Sequence, residues 1–243
     1  GQINQAIEKL KSKNQNLCGF IAETFPSVGG QIITPPGYLA EVYRQIRESG
    51  GVCIADEVQT GLGRLGNHYF GFEYQKVCPD IVVLGKPIGN GHPVGVVATT
   101  KEIANNFDNG IEFFSTFGGS TLSCAIANEV IEIVEDESLQ SNARKMGEKL
   151  KTGLKKLQIK YESIGDVRGM GLFVGIELID ENGKENTRLC TFVKNRMRDF
   201  RILIGSEGPM DNVLKIRPPL SIELEGINMI IHTLDAILEE ERI

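Results

Sequence analysis

The chain is poor in the residues that announce a metal centre or a disulfide scaffold. Its three histidines, His68, His92 and His232, are far apart and lack ligand spacing. Its five cysteines, Cys18, Cys53, Cys78, Cys124 and Cys190, are odd in number, scattered, and form no C-x-x-C pair. No metal site and no disulfide framework is therefore expected, and a reducing, cytoplasmic compartment is. No apolar run approaches the roughly 20 residues that a membrane span requires. A net charge of −6 gives no electrostatic reason to expect nucleic acid or an anionic membrane as partner. There is no internal repeat, no low-complexity tract, and no secretory or transit pattern. The first residue, Gly1, opens directly into a helical pattern with Ile3, Ala6, Ile7 and Leu10 on one face, which reads as an internal start.

What is present is an ordinary globular composition, 41% hydrophobic and 24% charged over 243 residues, enough for one large or two smaller cores. Short apolar runs recur at Leu17 to Ala22, Val52 to Ala55, Ile81 to Leu84 and Val94 to Thr99. They are separated by a helix that follows Thr34-Pro35-Pro36 and stops at Gly50-Gly51, and by long glycine-rich crossovers. That alternation predicts a mostly parallel α/β sheet, whose ligands bind beyond the carboxyl ends of the strands. Glu23, Asp56 and Lys86 each follow such a strand and so arrive at one edge.

After a small-residue turn over Ser115 to Ser123 comes a helix through Ala127, Val130, Ile131 and Val134, and then a strongly charged helix from Leu139 to Leu157, expected on the surface. Beyond Ile164 the pattern changes. Gly165 to Leu178 alternates like a strand, Ile202 to Ile204 and Val213 to Leu220 read as further strands, and Ser221 is a candidate N-cap for a closing helix with Leu224, Ile227, Ile231, Leu234 and Leu238 on one face. The domains predicted are residues 1–139, a larger α/β unit, and 140–243, a small α+β domain.

Two motifs are set aside. Gly61 to Gly66 matches G-x-G-x-x-G, but it lies five residues past a strand and no amphipathic helix follows it. The Asp56-Glu57 strand end resembles the acidic element of a P-loop ATPase, but no G-x-x-x-x-G-K-[S/T] occurs. His92, in the loop after Lys86, is a candidate ligand contact. Taken singly, Asp56 is explicable as a cap and Lys86 as a solvated surface residue. Together they fit one chemistry: a pyridoxal phosphate enzyme holds its cofactor as an imine on a lysine and pairs the pyridine nitrogen with an acid. In that chemistry the lysine amine is both the imine-forming nucleophile and a base.

The block IADEVQTGLGRLG, followed by CPDIVVLGKPIGNGHPVG, resembles the signature of class III, fold type I, pyridoxal-phosphate-dependent aminotransferases, and the resemblance extends over almost the whole chain. It implies a part of a three-layer PLP-transferase large domain followed by the small domain, and a homodimer with shared active sites. It implies that Lys86 carries the cofactor, that Asp56 pairs with the ring nitrogen, that Val58 packs on a ring face and that Gln59 bonds the ring hydroxyl. Glu23 would support the acid. Ser115 and Thr116, in STFGG, would reach a neighbouring subunit, where Thr116 binds the cofactor phosphate. Arg168, in DVRGMGL, would face a small amine or amino acid substrate.

Two departures carry further expectations. Where the family reads E-P-x-Q-G-E-G-G, this chain has ETFPSVGG, with Val28 in place of a glutamate that can neutralise the small-domain arginine. Arg168 is therefore expected to be an unpaired guanidinium and an anion receptor. The main phosphate-binding loop and the stacking aromatic would lie before Gly1, so weak or no cofactor binding by the 243 residues alone is expected. SVGGQIITPPGYL and LGKPIGNGHPVGVVATTKEIA are similar to the subgroup of phospho-lyases that act on phosphoethanolamine and phosphohydroxylysine. Amino transfer and elimination of phosphate with ammonia are thus both open. A non-catalytic dimerisation remnant is the reading from another class; loss of Lys86 or Asp56 would mark it, and both are present.

Overall fold

A computed structural model describes residues 1–241, which form two compact units. The first comprises Gly1–Thr24, Thr34–Leu62 and Phe70–Asp136; the second comprises Phe25–Ile33, Gly63–Tyr69 and the chain from Glu137 onward.

In the first unit, helix α1 (Gln2–Lys11) precedes strand β1 (Gly19–Glu23), helix α2 (Tyr38–Glu48) and strand β2 (Val52–Asp56). The short helix α3 (Gly71–Tyr74), strand β3 (Ile81–Leu84), a 3-10 turn over Lys86–Gly89, strand β4 (Val96–Thr99), helix α4 (Lys101–Phe107) and helix α5 (Thr121–Asp136) follow. The sheet order is β1-β2-β3-β4. The first two pairings are parallel and β3 with β4 is antiparallel, as the short Pro93-containing return between them allows. One face of the sheet is covered by α2, whose Leu39, Val42, Tyr43 and Ile46 recur at helical spacing and pack with Cys53, Phe20, Leu17, Ile3 and Val77. Full burial of such side chains contributes about 1.5–3 kcal/mol each. Burial also pushes the Cys53 thiol up to about 11, so it behaves as a small apolar group. Cys18, by contrast, is exposed at the approach to β1 and takes no part in that core.

The second unit is built on an antiparallel sheet of order β5-β6-β8-β7, with β5 (Ile164–Met170), β6 (Phe173–Leu178), β7 (Gly205–Glu207) and β8 (Val213–Ile216). The alternating stretch 165–178 is two strands rather than one. The chain folds back at Gly171, whose φ of +55° and approach to the Arg64 carbonyl favour a residue without Cβ. Likewise the strand expected over Ile202 to Ile204 lies three residues later. Helices α6 (Leu139–Lys160), α7 (Thr187–Asp199) and α8 (Leu224–Glu241) cover one face. Helix α8 begins beyond Ser221, which lies in a turn and does not cap it.

The charged helix α6 does not lie free on the surface. Ala143, Gly147, Leu150, Leu154 and Leu157 repeat at 4, 3, 4, 3 and bury against Val167, Leu172 and Ile230 within one core. Net charge hid this stripe, because the lysines fill the other face. A Cβ placed on Gly147 would stand 2.2 Å from the Gly171 carbonyl oxygen. Gly147→Ala is therefore expected to destabilise the protein by about 1–3 kcal/mol through overpacking. An exposed helical glycine would respond with the opposite sign, a gain of about 1 kcal/mol. Urea denaturation of the variant measures the difference.

Candidate active site

The first unit brings the predicted acid and lysine together by strand register. Glu23 is the register partner of Asp56, and Asp56 is that of Val83. Lys86 follows Val83 by three residues along a strand parallel to β2, so all three polar residues reach the same end of the sheet. The ends are locked. Asp80, at the start of β3, accepts a hydrogen bond from the Cys53 amide at 2.7 Å and pairs with Arg47 at 2.9 Å. The Glu57 amide donates to the Val83 carbonyl at 3.0 Å.

Asp56 closes a tight turn, its Oδ1 accepting from the Val58 amide at 3.0 Å. That turn carries Val58 back toward β3, where its methyl groups lie about 3.5 Å from where a Cβ on Gly85 would stand. Gly85 immediately precedes Lys86, so the Asp56–Gln59 segment and the lysine are neighbours. Lys86 itself has φ +39°, an uncommon conformation for a residue with a side chain. Such strain persists only where surrounding structure over-determines it, and it clusters at functional positions.

Glu57 was paired with Asp56 as a strand-end acid, but its own role was missed. Its side chain points to the opposite side of the strand, in the alternation that buries Cys53 and Ala55, and is 0% exposed. Four donors converge on it: Thr24 Oγ1 at 2.6 Å and the Phe72 amide at 2.9 Å on one oxygen, Thr60 Oγ1 at 2.5 Å and the Gly71 amide at 2.8 Å on the other. Burial raises its pKa, and the four hydrogen bonds oppose that shift. The period-2 alternation of VCIADE was the available signal, since it places the acid inward. The same packing explains Gly61: a Cβ there would lie 2.9 Å from the Glu57 carbonyl oxygen. The glycine serves a close backbone approach and not a dinucleotide.

Other predicted residues stand apart. Ser115 and Thr116 are exposed, and Ser115 Oγ accepts from the Gly118 amide at 3.0 Å. Neither makes a described hydrogen bond to Asp56 or Lys86. His92 Nε2 is 2.9 Å from Ser123 Oγ, so this side chain ties the loop after Lys86 to α5. Next to that pair, a cleft of about 450 Å³ is lined by Leu84, Ile88, Val94, Phe117, Cys124 and Ile131 among others. Among the described residues, no group of three or more His, Cys, Asp or Glu could hold a metal ion.

In the second unit, Arg168 is not the unpaired guanidinium expected from Val28. Its Nη1 pairs with Asp166 at 3.1 Å and with Glu177, and its Nε donates to the Gly30 carbonyl at 2.8 Å. The neutralising carboxylates come from Arg168's own hairpin, β5 and β6, where sequence position gave no cue to the pairing. Nη2 makes no hydrogen bond to a described residue. Segment 25–33 covers this face of the sheet, with Phe25 against Phe173 at 6.3 Å and Gln31 over Gly175. Val28 is 61% exposed.

The family model for aminotransferase class III matches residues 1–238. The chain belongs to the class III aminotransferases. This class III chain is 48% identical over 228 residues to an alanine–glyoxylate aminotransferase 2-like protein of Drosophila melanogaster, covering 92% of the chain and 46% of that relative. It is 40% identical over 242 residues to ethanolamine-phosphate phospho-lyase homolog 1 of Caenorhabditis elegans, covering 97% and 52%. Among solved structures, a phospholyase from Arthrobacter in complex with phosphoethanolamine matches with a TM-score of 0.95 at 34% identity, covering 98% of this chain and 57% of that one. A PLP-bound amine transaminase from an uncultivated Pseudomonas species matches with a TM-score of 0.88 at 29% identity, covering 98% and 55%. The class III chain thus spans about half the length of the curated relatives it matches. It has the fold of the PLP transaminases, and its family is one of aminotransferases that also includes phospho-lyases.

Proposed function

We propose that the protein carrying this chain is a pyridoxal-phosphate-dependent enzyme acting on the primary amine of a small amino substrate, with Lys86 as the covalent attachment point. The observation that carries the reading is the register that puts Asp56 and Lys86 at one end of adjacent parallel strands, with Val58 lying against Gly85. That donor set fits the cofactor: a primary amine for its aldehyde and a carboxylate for its ring nitrogen. When bound, pyridoxal phosphate supplies an aldehyde that captures amines and a ring that takes up electrons from the substrate's α-carbon.

The chain's residues divide the remaining work. Lys86 would hold the cofactor through its amine, and that amine would also be the base that removes a proton from the substrate carbon and returns it. Asp56 holds the proton on the ring nitrogen, where a carboxylate favours the cationic form. Val58 covers a ring face, Gln59 bonds the ring hydroxyl, and Glu23 supports Asp56 from the adjoining strand. Ser115 and Thr116 serve the cofactor phosphate across a homodimer. Supporting this, Ile111, Phe113, Phe114 and Phe117 flank the pair and are 73% exposed or more, an apolar surface of the kind that mates with another subunit. Arg168 offers Nη2 to a substrate anion. With two carboxylates already beside it, the arginine contributes a directed hydrogen bond more than net positive charge.

The second reading, elimination of phosphate and ammonia from a phosphorylated amine, is favoured by Val28 at a glutamate position and by the likeness to a phospholyase. A transaminase that accepts two substrates in turn gains from a switchable arginine, whereas a lyase does not need one. Incubating the full-length gene product with phosphoethanolamine and no keto acid separates the two. Elimination is expected to release inorganic phosphate at once; transfer gives no turnover until a keto acid is added. No described helix is long and apolar enough to cross a membrane. The odd number and scatter of the five cysteines fit a reducing setting, for which we propose the cytoplasm.

A further inference from the structure

We infer that Glu57 is a positioning residue for the cofactor site, a buried carboxylate that clamps the Asp56–Thr60 turn to the Gly71–Phe72 backbone and thereby presents Asp56, Val58 and Gln59. The inference rests on the functional reading above. It goes beyond that reading because Glu57 touches neither cofactor nor substrate in it.

The geometry is that of a fully used anion. Each carboxylate oxygen takes two donors, at 2.5–2.9 Å, from three separate stretches of chain: Thr24 beyond β1, Thr60 in the turn, and the amides of Gly71 and Phe72. The amides can only donate, so the site selects an acceptor-only group in both positions. The backbone of the same residue is equally committed, with its amide on Val83 and its carbonyl on the Gly61 amide at 2.9 Å. The Asp56 carbonyl lies between these ties and accepts from the Thr24 amide at 3.4 Å. Asp56 therefore sits next to a residue held at six points. A side chain of the same length that lost its acceptor character would free the turn without emptying the core.

Glu57→Gln is that change. Its amide nitrogen would face the Gly71 N–H, leaving a buried donor unmet, which costs on the scale of one charge-assisted hydrogen bond. In the full-length gene product, titration with pyridoxal phosphate followed by visible absorption is expected to show binding weakened about tenfold or more. Amide hydrogen exchange over residues 56–60 should accelerate in the cofactor-free protein. Leu154→Ala, in the core of the second unit, serves as a control for stability alone and is expected to leave cofactor affinity unchanged. Unchanged affinity and exchange in Glu57→Gln would overturn the inference, as would an equal loss of affinity in a Leu154→Ala protein of matched melting temperature. If Glu57→Gln does not fold, Thr24→Val and Thr60→Val each remove one donor and keep the carboxylate; both should weaken binding severalfold, and no change in either overturns the clamp. A wild-type protein that binds no pyridoxal phosphate would instead overturn the functional reading. The exchange rates, read without cofactor, would still report on the clamp.

Discussion

Lys86→Ala is expected to lower turnover of the full-length gene product by at least about 10³-fold, since on the proposed function it would remove both the attachment point and the group that moves the proton. Borohydride reduction in the presence of pyridoxal phosphate should label wild-type protein at Lys86, read by peptide mass spectrometry, and should leave the variant unlabelled at that peptide. The fold should survive, because the side chain is exposed and its neighbours Ile88 and Gly89 are what bury the turn. A companion variant tests the strain. Lys86→Gly relieves the φ of +39° and is expected to gain about 1 kcal/mol in stability while losing activity equally. Stability gained by deleting a functional residue would mean that the backbone at Lys86 is held against its own preference for the sake of the site.

Asp56→Asn should cost about 10²–10³-fold in turnover, the loss found when a preorganised electrostatic partner is removed from a reacting centre. The substitution isolates charge from shape. Asparagine keeps an Oδ1 to accept from the Val58 amide, so the turn that presents Val58 and Gln59 is retained. What disappears is the negative charge that would hold a proton on the ring nitrogen. Steady-state kinetics together with amide exchange over residues 56–60 would show the two effects separately: a large fall in rate with little change in exchange. Rapid exchange in this variant would mean that Asp56 acts mainly through the turn.

Much of the first unit could be read from local pattern. VCIAD and IVVL are short, apolar and bounded by breakers, and they fold as β2 and β3 within a residue of where their composition places them. Helix α2 announces itself through Leu39, Val42, Tyr43 and Ile46 and ends at the glycine pair. Elements without such periodicity were not visible. Helix α4 has no buried residue, and α3 is four residues inside an aromatic loop. In the second unit, the stretch 165–178 reads as one strand and conceals a hairpin, because the reversal rests on two or three residues around Gly171.

The electrostatic pairings show the same limit. Val28 for glutamate invited the reading that Arg168 lacked a partner, yet Asp166 and Glu177 supply two. Asp166 is two residues away and Glu177 nine, but only a hairpin places both beside the guanidinium. Glu57 is the converse case: an acid beside an acid in the linear text, separated in space because a strand sends neighbouring side chains to opposite faces.

By itself, then, the sequence determined the residue types and their order: an acid and a lysine each closing an apolar strand, set in a signature long enough to name a family. That information is local, because strand periodicity and breakers act over a few residues. Tertiary structure alone decided which polar groups meet: Asp56 beside the Lys86 strand through parallel register, Arg168 neutralised by its own hairpin, and Glu57 enclosed by donors from three stretches of chain. The longer of those contacts join residues 9 to 33 positions apart, or strands that cross over between distant segments. Their energies depend on burial and register, quantities that exist only once the sheets have formed.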